Sequence, residues 1–132
     1  IRGLGAKPRE MWATRDYLAV FDSEEEVRAL RPDMGLLAEL ETICVICTAP
    51  GGDYDFISRS FAPGVGIPED PVTGSSHCTL PPYWSRRLGK KTLTAFQASS
   101  RGGELFCEAM GDRVKIAGHA VCYLKGAIRL PD

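Results

Sequence analysis

From Pro71 to Ser85 the chain carries no charged side chain, with Asp70 before the stretch and Arg86-Arg87 after it. Elsewhere the sequence is charged at an ordinary rate, 25% overall, so this segment is the part that must be hidden from water. His77, Leu80, Pro81, Trp84 and Leu88 fall at helical spacing, and Cys78, Thr79, Tyr83 and Ser85 add no charge on the other sides. A helix without a charged face is a buried one. The spacing therefore predicts a central helix enclosed by the rest of the fold, closed by Arg86, Arg87 and Gly89 as C-terminal signals. Pro81 and Pro82 oppose it, since each removes an amide donor and crowds the preceding turn at about 3 kcal/mol. Either the helix kinks there or a tight turn precedes a shorter helix beginning near Pro81. We expect one kinked helix surrounded by strands, with Cys78 in the core.

The remaining elements read as short strands and two short helices. Asp16–Asp22, Thr42–Thr48, Tyr54–Phe61, Leu93–Ser99, Glu104–Met110 and Arg113–Ala117 have strand-forming patterns. Thr42–Thr48 is continuously apolar and so is expected to be covered on both faces. Ser23 with Glu26 forms a capping box, and Arg31-Pro32 breaks the following apolar pattern into two helices around a bend. Ala120–Leu124 and Ala127–Leu130, joined by a Lys125-Gly126 turn, are expected to close the chain as two further strands. The pattern is that of an α+β fold in one domain spanning residues 1–132.

With 16 Lys and Arg against 17 Asp and Glu, the net charge is −1, which disfavours electrostatic nucleic-acid binding. No window approaches the about 18 uninterrupted apolar residues of a membrane helix. Five cysteines at irregular spacing suit reduced thiols in a cytoplasmic protein better than a disulfide framework. The chain opens on Ile1 rather than Met, and we read it as a fragment or processed product.

Chemistry concentrates where the uncharged stretch begins. Asp70-Pro-Val-Thr-Gly-Ser-Ser76 sets a carboxylate, a glycine and three hydroxyls at one helix N-terminus. The first amides of a helix have no internal acceptor, so they favour an anion, and Gly74 lets a ligand approach the backbone. Asp before Pro is also an ordinary helix start, with Asp70 as the cap. The positive end of the helix favours the ionised carboxylate. As a catalytic group Asp70 would accept or orient a proton rather than arrive holding one.

Several blocks together resemble a known family. Arg59-Ser-Phe61-Ala-Pro63, Gly66-Ile-Pro-Glu69-Asp70-Pro71-Val-Thr73-Gly74-Ser75-Ser-His77, Tyr83-Trp84, Leu88-Gly89-Lys90, Gln97-Ala-Ser99 and Arg101-Gly102-Gly103 are similar, in order and spacing, to the second half of phenazine-biosynthesis PhzF-like proteins. The resemblance implies half of a diaminopimelate-epimerase-like fold, a strongly bent, mostly antiparallel sheet wrapped around a central helix. It also implies a cofactor-independent isomerase that moves a proton on a small carboxylate-bearing substrate in a cleft between two lobes. Carried over residue by residue, Asp70 matches the catalytic Asp of this half, Ser75 its active-site Ser and Gly74 the adjacent backbone contact. Thr73 and His77 are expected beside the substrate with them. The family's main acid/base, a Glu, and its partner His lie in the first half, which nothing here matches. The partners implied are the substrate and either that missing N-terminal domain or a second copy in a homodimer.

Rival sites are weaker. Residues three apart on a strand point to opposite faces, so Cys44 and Cys47 cannot share a metal, and no metal or cofactor is expected. His119 reads as a hydrogen-bonded strand histidine. Gly64-Val65-Gly66 opens no helix from a strand and is no dinucleotide motif. Lacking its other half, the chain could instead be a binding module that associates through the exposed cleft wall.

Overall fold

A computed structural model describes residues 2–131. Seven strands form one sheet in chain order: β1 (Glu10–Ala13), β2 (Tyr17–Val20), β3 (Val45–Pro50), β4 (Phe56–Phe61), β5 (Thr92–Gln97), β6 (Gly103–Met110) and β7 (Arg113–Ala117). The helices are α1 (Glu24–Ala29), α2 (Met34–Ala38) and α3 (Ser76–Leu88). β2–β3 and β4–β5 are parallel and the other neighbours antiparallel.

Those two parallel pairs determine where the helices lie. Parallel neighbours need a crossover, and crossovers are right-handed. Both steps move the same way across the sheet, but β4 and β5 run opposite to β2 and β3 because β3 and β4 are antiparallel. The same handedness therefore sends α1–α2 to one face and α3 to the other. Leu18, Val20, Ile46, Phe56, Leu93 and Leu105 pack with Leu80 and Trp84 of α3 on one side. Ala19, Val45, Cys47, Ile57 and Phe61 pack with Val27 and Leu37 on the other. This accounts for the continuously apolar β3, whose Cys44 and Cys47 neighbours face opposite cores as expected.

Four expectations are corrected. The α+β class holds, but the sheet is mixed, open and not strongly curled around a central helix: β1 and β7 do not meet, and helices cover both faces. Only one side of α3, carrying Ser76, His77, Leu80, Pro81 and Trp84, is buried. Cys78 is exposed, since an uncharged residue need not be an interior one. Residues 118–131 form neither strand nor helix, and Val121, Tyr123, Leu124, Ile128 and Leu130 are 82–99% exposed. An apolar run becomes a strand only by pairing with a neighbour, and among the described residues these pair with none. His119 accordingly sits exposed outside any strand, 3.9 Å from Glu104.

Half of the capping box holds: Ser23 Oγ accepts from the Glu26 amide, but Glu26 Oε2 accepts from the amide of Asp22, one residue before the cap, rather than from Ser23. The bend after α1 holds too. α3 runs unbroken through Pro81 and Pro82. Their missing N–H groups leave the carbonyls of His77 and Cys78 without the usual donors four residues on. Burial offsets that loss. Trp84 stacks on Phe56 with ring centres 5.9 Å apart, and its indole N–H donates to Thr48 Oγ1 at 3.0 Å.

Candidate functional site

The segment 70–75 is an approach to α3 rather than its first turn. Ser75 is the N-cap residue and makes no side-chain cap bond, so Asp70 is not the helix cap that Asp-Pro suggests. Its amide instead donates to the Ser60 carbonyl at 2.9 Å, fastening the segment to β4. The carboxylate oxygen Oδ2 accepts a 2.6 Å hydrogen bond from Thr73 Oγ1.

Thr73 is the hub, and every polar atom it has is engaged. The Thr73 amide donates to Gln97 Oε1 at 2.7 Å. Its hydroxyl oxygen lies 2.9 Å from Gln97 Nε2, which also donates to the Asp70 carbonyl at 2.7 Å. Its carbonyl is 2.8 Å from His77 Nδ1. A carbonyl only accepts, so Nδ1 of His77 carries the proton. His77 itself is wholly buried, its ring 6.0 Å from that of Phe56, and Nε2 has no partner. Burial holds this imidazole below its ordinary pKa and the Thr73 contact opposes that only in part, so it is neutral.

Two other parts of the chain hold this segment. Ser99 Oγ donates to the Pro71 carbonyl at 2.8 Å. The β5–β6 turn presses so close that a Cβ on Gly103 would collide with Val72. From β4, Arg59 clamps Glu69 with two bonds of 2.7 and 3.0 Å. The same guanidinium donates to the carbonyls of Val27 and Leu30, 3.2 and 3.0 Å away at the end of α1. Beneath α3's start, Ser60 and Ser76 hydroxyls meet at 3.0 Å, and burial pushes the adjacent Cys44 thiol up to about 11.

What reaches solvent is narrower. Gly74 and Ser75 are exposed and Asp70 is half-buried, whereas Thr73 and His77 are buried. Among the described residues the Gly74 and Ser75 amides have no hydrogen-bond partner. A groove of about 480 Å³ opens beside Gly74, between Val72, Arg101, Glu104, Ile116 and His119. An apolar hollow of about 430 Å³, bounded by Trp12, Leu18, Tyr83 and Arg86, flanks the later turns of α3 instead. Among the described residues no three His, Cys, Asp or Glu side chains converge as a metal site. The arrangement can offer unpaired amides to an anion and one carboxylate, anchored through Oδ2, to a proton. The motif blocks that begin with Arg59 and Gln97 give neither residue a role, because each acts on a segment ten or more residues away in sequence.

The chain is similar to known proteins. Residues 6–126 match the family model described as phenazine biosynthesis-like protein. An uncharacterized isomerase of Pseudomonas aeruginosa is 55% identical over 130 residues, covering 98% of this chain and 50% of that protein. The crystal structure of a PhzF-family phenazine biosynthesis protein from Enterococcus faecalis superposes with a TM-score of 0.89 at 45% identity, over 98% of this chain and 50% of that one. A PhzC/PhzF protein of Clostridium difficile follows with 0.85 and 43%, over 96% and 49%. The chain spans about half the length of the curated relatives it matches.

Proposed function

Because the chain belongs to the phenazine biosynthesis-like family, we propose that it is the C-terminal half of a cofactor-independent, cytoplasmic isomerase acting on a small carboxylate-bearing substrate. The observation that carries the reading is Asp70, anchored through one oxygen by Thr73, beside the unpaired amides of Gly74 and Ser75. In the proposed mechanism these amides, with the Ser75 hydroxyl, hold the substrate's carboxylate or a developing enolate. Asp70 accepts or returns a proton through Oδ1, the oxygen that Thr73 does not hold, while an acid from the other lobe makes the main transfer. One ionised and one protonated group is the pairing that proton shuttling requires. Thr73 and His77 act beneath the surface: Thr73 orients Asp70, and His77 holds the Thr73 carbonyl.

The partner in this reading is the first half that the longer relatives carry. The exposed apolar side chains of residues 121–130 support it, since they require a covering surface. The same exposure favours a second reading, in which this chain alone pairs with another copy as a homodimer and is not itself active. Both are separated by an exchange assay in deuterated water on small unsaturated carboxylates, run on this chain and on a protein that also has the first half. We expect deuterium uptake only with both halves, and a loss of about 10²-fold or more on Asp70→Asn. Unchanged uptake in that variant would remove Asp70 from the mechanism.

A further inference from the structure

Gln97 is wholly buried and lies at the end of β5, and its three hydrogen bonds leave only one consistent arrangement of protons. The Thr73 backbone amide can only donate, so the atom it meets at 2.7 Å is the Gln97 side-chain oxygen. That orientation turns both Gln97 amide hydrogens the other way. One goes to the Asp70 carbonyl at 2.7 Å and the other to Thr73 Oγ1 at 2.9 Å. The Thr73 hydroxyl, now accepting from Gln97, must send its own hydrogen elsewhere. Asp70 Oδ2, 2.6 Å away, is where it goes. An oxygen that receives this hydrogen bond carries no proton of its own.

We propose that Gln97 is a positioning residue that sets the proton polarity of the site, relaying the fixed direction of the Thr73 amide through the Thr73 hydroxyl to Asp70. Its consequence is that Asp70 Oδ2 is kept as an acceptor, so that any proton Asp70 takes up or gives back is carried on Oδ1. The inference rests on the reading of Asp70 as a catalytic group, but the proton arrangement can be tested without any substrate.

Neutron diffraction from deuterated crystals of this chain reads it directly. In the wild type we expect nuclear density for the Thr73 hydroxyl deuteron directed at Asp70 Oδ2, and both Gln97 deuterons on the Thr73 and Asp70 oxygens. In Gln97→Glu, of nearly equal shape but without an N–H, the deuteron should turn from Asp70 toward residue 97. A role for Gln97 in merely holding the loop would leave it where it was. A wild-type deuteron pointing at Gln97, or one residing on Asp70 Oδ2, overturns the proposal, as does an unmoved deuteron in Gln97→Glu. Should that variant not fold, Thr73→Ser keeps every donor and acceptor and must show the wild-type direction; any other direction overturns it. In the two-lobe protein, Gln97→Glu should lower the exchange kcat about tenfold or more with KM little changed. If Asp70→Asn leaves exchange intact, the isomerase reading fails while the deuteron positions still decide the relay.

Discussion

At the scale of single residues, the site is a question of which polar atoms are already taken. His77 has the motif position of a ligand contact but spends Nδ1 on the Thr73 carbonyl and turns into the core. Its pKa is held down by burial, so the unfolded chain binds more protons than the folded one once the pH falls below the ordinary histidine value, about 6.5. Stability from this group is therefore complete above that value and drains away below it, at up to about 1.4 kcal/mol per pH unit. His77→Asn keeps a donor for Thr73 and does not titrate. Urea unfolding at pH 7 and pH 5 should show the wild type losing more stability than the variant between the two; equal losses would refute a neutral buried His77. Asp70, Gly74 and Ser75 stand out in the sequence because the pattern that marks them is local. The roles of Thr73 and Gln97 were not, because a hydrogen bond between residues 73 and 97 has no local signature.

Among the elements, α1 and the 69–75 segment are joined through one side chain. Arg59 satisfies the last carbonyls of α1 and grips Glu69, and it stacks over Phe61 with its guanidinium carbon 4.9 Å from the ring centre. Its side chain is 11% exposed, so the ion pair is shielded from solvent screening more than a surface pair. Arg59→Met keeps most of the stem but leaves the carboxylate and carbonyls without donors. We expect a loss of about 2–4 kcal/mol by urea denaturation, together with faster hydrogen exchange of the Asp70 amide, since hydrogen bonds to charged groups are worth about 1.5–3 kcal/mol. A loss below about 0.5 kcal/mol would mean the clamp is ornamental. Helix α3 shows how far pattern reading goes at this scale. Its existence, its C-terminal stop and its buried Leu80 and Trp84 follow from spacing. Its start at Ser76 does not, because the contacts of residues 70–73 with β4 and β5 hold them out of helical geometry.

For the whole molecule the deciding feature is the open edge of the structure. Residues 118–131 include the apolar run Ala120–Leu124 and pair with no strand among the described residues, and large apolar side chains left in water drive association. Sedimentation velocity on this chain should show concentration-dependent self-association at micromolar levels. Val121→Ser with Tyr123→Ser and Leu124→Ser should shift it toward monomer by about tenfold or more in dissociation constant, as expected for removing about 1.4 kcal/mol or more. A wild-type monomer at high concentration would exclude the self-paired form and leave the missing half as the surface these residues need.

Local sequence sufficed for the α+β class, the Ser23 cap of α1, the bend at Arg31-Pro32 and the alternating β7, since each depends on neighbours within a few residues. Tertiary structure alone decided that helices lie on both faces, that the sheet stays open, that His77 and Thr73 are buried, and that Gln97 bonds Thr73 and Asp70. Those outcomes depend on crossover handedness and on pairings between distant segments, and no run of residues read by itself contains its partner.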